Sequence, residues 1–149
     1  MNQKVLLITE NKAYLEYLET ILSRNNFDTA SSRSCIGALR QLKTEAADII
    51  VLDEEIAGPD AWESCLQLRG KCHAPILMTG RSCSDLTVIK AIIHGADFYM
   101  EIPFNEKEFI ARINALLRRS RLTRENGNSE YSFKKRAPYR DMKVQNEPG

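Results

Sequence analysis

A five-fold alternation of short apolar runs with helix-spaced apolar stripes constrains this chain more than any other feature. The runs are Val5-Leu6-Leu7-Ile8, a weaker one beginning near Phe27, Asp48 to Leu52, Ile76-Leu77-Met78 and Phe98-Tyr99-Met100. Runs so short and so apolar read as strands covered on both faces. The first helical stripe is Tyr14, Leu15, Leu18, Ile21 and Leu22, and the second is Ile36, Leu39 and Leu42. The third holds Trp62, Cys65, Leu66 and Leu68, and the fourth Leu86, Ile89, Ile92 and Ile93. The last holds Phe109, Ile110, Ile113, Leu116 and Leu117, and the helical pattern fails from about residue 120. Asn11, Ser34, Asp60, Asp85 and Asn105 are the expected N-caps, with Gly70 and Gly95 as stops. Such alternation implies parallel pairing, right-handed crossovers and helices on both faces of one sheet, an α/β fold.

Asp53 closes the third apolar run, and Glu54, Glu55 and the turn Gly58-Pro59 follow it. A carboxylate at the C-terminal end of a buried parallel strand lies where open α/β sheets place their ligands. Charge narrows the function classes. Residues 1–120 carry 14 Lys+Arg against 16 Asp+Glu, and residues 121–149 carry 7 against 4. The globular part has no basic field, and the tail is too mildly basic to indicate nucleic-acid binding on charge alone. No apolar stretch reaches membrane-spanning length, and no signal peptide is expected. Cys35, Cys65, Cys72 and Cys83 show no C-x-x-C spacing, which fits a cytoplasmic chain with reduced thiols. Packed or exposed thiols are a simpler reading than a metal site from Cys65, Cys72, His73 and Cys83, which fall on three segments.

Three stretches carry a resemblance. They are Asp48-Ile-Ile-Val-Leu-Asp53, the turn Ile56-Ala-Gly-Pro-Asp60, and Gly95-Ala-Asp-Phe-Tyr-Met-Glu-Ile-Pro-Phe104. Together they resemble the response-regulator receiver domain of two-component signalling. The likeness covers roughly residues 3–120 and implies a flavodoxin-like, five-stranded parallel sheet. The last helix, Glu108 to Arg119, resembles that of the OmpR/PhoB-type winged-helix transcription factors. In the family's terms Asp53 matches the phospho-acceptor, and Thr79 and Tyr99 match the switch hydroxyl and the switch aromatic. The Mg²⁺-holding acidic pair is here Thr9-Glu10, so the resemblance leaves Glu10, Asp53 and the backbone carbonyl of Glu55 as a weakened metal site. The lysine before the proline is replaced by Ile102, and the Ile102-Pro103 bond is expected to be cis. Without that lysine the bound phosphoryl group loses a charge-assisted contact of about 1.5–3 kcal/mol, so an atypical receiver is expected, weakly phosphorylated or activated without phosphate.

The resemblance also implies a homodimer through the fourth helix, fifth strand and fifth helix, where Asp97 and Arg112 match charged positions. Ile92 lies beside Ile93, and Ile93 and Phe98 replace usual acids, making this face more apolar. A receiver at 1–121 is expected, followed at 122–149 by a linker and the start of a truncated winged-helix domain, on the likeness of Tyr139-Arg-Asp-Met-Lys-Val144 to its opening strand. Partners would be a sensor histidine kinase and, only through a C-terminal domain absent from this chain, DNA. A second reading is a stand-alone receiver-like interaction module. An enzyme or nucleotide binder on the same fold is disfavoured, because the first loop, Thr9-Glu10-Asn11, has no glycine to cradle a phosphate. Several residues also have plainer readings. Glu54 and the Glu55 side chain read as solvated, and Tyr99 either switches or merely covers the sheet edge. His94 reads as a helix-end residue, Cys83 as an inert surface thiol, and Lys134-Lys-Arg136 as a solubilising linker.

Overall fold

The computed structural model describes residues 2–56, 61–82 and 84–125, the side chains of 124 and 125 aside. Expectations about Asp60, Gly58-Pro59, Cys83, Lys134 to Arg136 and the segment 139–144 lie outside these residues. Five strands and five helices alternate: β1 (Lys4–Ile8), α1 (Lys12–Arg24), β2 (Asp28–Ser32), α2 (Cys35–Thr44), β3 (Ile49–Asp53), α3 (Ala61–Lys71), β4 (Ile76–Gly80), α4 (Asp85–Ile93), β5 (Phe98–Glu101) and α5 (Glu106–Glu125). The sheet order is β2-β1-β3-β4-β5, and each pairing is parallel. This is the flavodoxin-like arrangement, with the strand order reversing between β1 and β3.

Strand residues alternate between two cores. Leu6, Ile8, Ile50, Leu52, Ile76 and Met78 point to the face covered by α2, α3 and α4. Val5, Leu7, Ile49, Val51 and Leu77 point to the face covered by α1 and α5. Asn11, Ser34 and Asn105 cap as expected: Asn11 Oδ1 accepts from the Tyr14 N–H at 2.9 Å, Ser34 Oγ from Gly37 at 3.0 Å and Asn105 Oδ1 from Lys107 at 2.7 Å. Gly95 follows α4 at φ +104°, a left-handed position that glycine takes without strain.

Four local expectations are corrected. Ser84, not Asp85, caps α4, its hydroxyl accepting from the Thr87 N–H at 3.2 Å. Gly70 lies inside α3, whose last residue is Lys71. Helix α5 continues past residue 120 to Glu125, so the boundary at 121 falls within it. A helix end needs no apolar stripe when its backbone bonds continue; Thr123 Oγ1 there donates to the Arg119 carbonyl at 3.0 Å. The fourth correction concerns helix faces. Ile36 on α2 and Leu86, Ile89 and Ile93 on α4 are exposed, while Ala38 and Ala91 are fully buried. Small side chains let these helices approach the sheet closely, and the larger ones turn outward.

Candidate functional site

Strand β3 delivers Asp53 to the C-terminal edge of the sheet, with β1 on one side and β4 on the other. The carboxylate is 6% exposed, and both of its oxygens are engaged. The Thr9 hydroxyl donates to Oδ2 at 2.6 Å, and the Glu55 N–H donates to Oδ1 at 2.9 Å. Thr9 follows β1 directly and is itself buried. Its oxygen also accepts from the Asn11 N–H at 3.1 Å, which ties the site to the start of α1. A buried carboxylate is costly unless hydrogen-bonded. Thr9 therefore does here what an ionised acid could not: it donates a hydrogen bond to Asp53.

Thr79 lies within β4, in register with Asp53, and is fully buried. It was expected just past the strand; the strand runs to Gly80. The Tyr14 hydroxyl donates to Thr79 Oγ1 at 2.8 Å. Burial pushes the Tyr14 phenol well above its ordinary range. The Thr79 bond opposes that rise, and the nearby Asp53 carboxylate adds to it.

Tyr99 on β5 is buried, with its hydroxyl turned inward. It donates to Glu54 Oε1 and accepts from the Ser82 N–H at 3.2 Å. Burial raises its phenol, and the Glu54 contact raises it further. Glu54 is therefore no solvated bystander; it is half-buried and fastened to Tyr99. The Glu55 side chain does face solvent, 3.5 Å from Arg81 Nε with both more than half exposed, so this pair contributes little. Glu55 meets Asp53 through its backbone N–H.

Ile102 is half-buried, donates its N–H to the Gly80 carbonyl at 2.7 Å and precedes Pro103 through a cis bond, as the resemblance implied. It brings no charge to the site. Among the described residues, no group of three or more His, Cys, Asp or Glu side chains is gathered as a metal ion would need. The acids nearest the β1 end are Asp53, whose oxygens already accept two protein donors, and Glu10. With the Glu55 carbonyl these would make a reduced set for Mg²⁺, which is held by one or two carboxylates and completes its near-octahedral shell with water.

Of the residues expected on the dimer face, Ile93 is exposed and Ile92 half-buried. Asp97 Oδ2 is held within the chain, accepting from Arg69 Nη1 at 3.0 Å and from the Ile76 N–H at 2.8 Å. The Arg112 guanidinium lies 3.8 Å from the centre of the Phe98 ring, a cation–π contact. Sequence reasoning missed Tyr14, Glu54, Gly80 and the donor role of Thr9. Tyr14 read only as part of an apolar stripe, and no local signal marks the other three.

Residues 5–114 match a family described as the response regulator receiver domain. The chain is 35% identical over 123 residues to the alkaline phosphatase synthesis transcriptional regulatory protein PhoP of Bacillus subtilis (strain 168), covering 82% of this chain and 51% of PhoP. It thus spans about half the length of that relative. Among solved structures, the Francisella response regulator 1452 receiver domain superposes with a TM-score of 0.74 at 28% identity, over 80% of this chain and 99% of that one. A two-component response regulator from Clostridium difficile superposes at 0.75 with 24% identity, over 79% and 98%, a likeness of fold.

Proposed function

Because this chain belongs to the response regulator receiver domain family, we propose that it is the receiver of a transcriptional regulator whose switch is set chiefly by internal hydrogen bonds rather than by a phosphoryl group. The observation that carries this is the Thr9 hydroxyl on Asp53 Oδ2. An aspartate that accepts a phosphoryl group attacks with a carboxylate lone pair. Here one oxygen is held by a charge-assisted bond from Thr9 and the other by a backbone donor, which lowers the electron density available for attack. Ile102 supplies no cation to the incoming group. Receiver domains generally hold Mg²⁺ at an acidic pocket; here Glu10, Asp53 and the Glu55 carbonyl would hold it weakly for want of the second acid, and no step is routed through a metal.

Output on this reading runs through the α4–β5–α5 face. Leu86, Ile89 and Ile93 form an exposed apolar stripe at helical spacing, which supports self-association without phosphate. A histidine kinase is the partner proposed on the family's pattern, and a role in transcription is proposed by likeness to the PhoP regulator, with any contact with DNA left to a region beyond the receiver. No helix among the described residues is long and apolar enough to cross a membrane, and the site of action is proposed as the cytoplasm.

The test is intact mass after incubation with a small phosphodonor and Mg²⁺. Wild type is expected to label partially or transiently. The double change Thr9→Asp with Ile102→Lys should raise labelling about ten-fold or more, the worth of one restored charge-assisted contact, and only while Asp53 is present. Full, stable labelling of wild type, or no gain in the double variant, refutes the reading.

A further inference from the structure

The geometry points to Glu54 as the positioning residue for Tyr99, a latch that holds the aromatic inward in the absence of any phosphoryl group. The inference rests on the reading of this site as a receiver switch.

Three observations carry it. First, Tyr99 is only 5% exposed although it lies on β5, the edge strand of the sheet. A phenol so placed needs polar partners, and its hydroxyl has two: it donates to the Glu54 carboxylate and accepts from the Ser82 N–H. Second, Glu54 is fixed at its own backbone. Its N–H donates to the Thr79 carbonyl at 2.8 Å, which continues the β3–β4 pairing one residue beyond Asp53 and aims the side chain across β4. Third, the meeting point lies directly over Gly80. A Cβ built there would collide with both Glu54 Oε1 and the Tyr99 hydroxyl and would stand 3.0 Å from Glu54 Cβ. Only glycine at 80 lets a β3-end carboxylate and a β5 phenol join across β4.

The consequence is regulatory. The residue that follows the acceptor aspartate grips the switch aromatic directly. The position of Tyr99 is therefore coupled to the β3 end whatever the state of Asp53. A hydrogen bond to a charged acceptor shifts a two-state ratio by roughly ten-fold or more, so Glu54 multiplies the inward-to-outward ratio of Tyr99 by that factor.

The test uses the full chain with ring-labelled tyrosine, the Tyr99 resonance being assigned through Tyr99→Phe. Ring exposure is read by broadening with a soluble gadolinium chelate. Glu54→Ala should expose the Tyr99 ring strongly. Glu54→Gln, whose amide oxygen still accepts, should restore protection in large part. Gly80→Ala should mimic Glu54→Ala although Glu54 is intact. A Tyr99 ring as protected in Glu54→Ala as in wild type overturns the inference, as does a protected ring in folded Gly80→Ala. If Gly80→Ala does not fold, the pair of Glu54 variants decides, since both alter a half-buried side chain beyond the strand end. The phosphodonor mass assay stays separate: full labelling of wild type refutes the phosphate-independent reading, whereas an unmoved Tyr99 ring refutes only the latch.

Discussion

Replacing Thr9 by valine removes one hydroxyl and almost nothing else, which makes it the sharpest probe of this site. The side chain is 2% exposed and keeps its shape. What is lost is the donor to Asp53 Oδ2 at 2.6 Å and the acceptor of the Asn11 N–H at 3.1 Å. The second loss is small, because Asn11 is exposed and water can replace the hydroxyl. The first is not, because a carboxylate at 6% exposure has little access to water and keeps only the Glu55 N–H. Hydrogen bonds to charged groups are worth about 1.5–3 kcal/mol, so Thr9→Val should cost about that much. For a chain of this size the cost corresponds to a fall in Tm of roughly 5–10 °C. The assay is urea unfolding followed by circular dichroism, with the denaturant slope checked for constancy. Repeating it in the Asp53→Asn background isolates the charge, since a neutral acceptor makes a bond roughly half as strong, and the cost of Thr9→Val should fall to about half. A cost below about 0.5 kcal/mol, the range of ordinary surface changes, or one undiminished by Asp53→Asn, would refute the claim that Thr9 holds Asp53 by a charge-assisted hydrogen bond.

Two further outcomes follow from the same geometry. Tyr14 and Tyr99 are both held above the ordinary phenol range, chiefly by burial. The fold therefore favours their neutral forms: this contribution to stability is complete below about pH 10 and is lost as pH rises further through the raised folded values. Ultraviolet titration should show two phenols ionising above the ordinary phenol range, with Tyr14→Phe and Tyr99→Phe each removing one of these late steps; an unchanged late titration in either folded variant would contradict it. Wild type should sediment as a dimer at tens of micromolar, and Ile93→Lys, on an exposed position of α4, should make it monomeric. A monomeric wild type would end the dimer reading.

The local parts of this molecule were legible in its sequence. Val5 to Ile8 and Asp48 to Leu52 announce buried strands because a strand covered on both faces is built mostly of apolar residues. Asn11, Ser34 and Asn105 announce helix starts because a cap acts on backbone groups within three residues. Asp53 could be placed at the sheet edge because it ends one of those runs, and alternation alone fixes a parallel sheet. What the sequence could not show is which side chains meet once the strand ends are brought together. Thr9 reaches Asp53 across 44 residues, Tyr14 reaches Thr79 across 65, and Tyr99 reaches Glu54 across 45. Thr9 looked like the loss of an acid and proved to be a hydrogen-bond donor to Asp53; Glu54 looked solvated and proved to be held by Tyr99. The inward faces of α2 and α4 were likewise decided by packing, which chose Ala38 and Ala91 over Ile36 and Leu86. Periodicity and capping are interactions between near neighbours and are written along the chain. A hydrogen bond between residues forty or more positions apart depends on sheet order and register, which exist only once the whole domain has closed around its two cores.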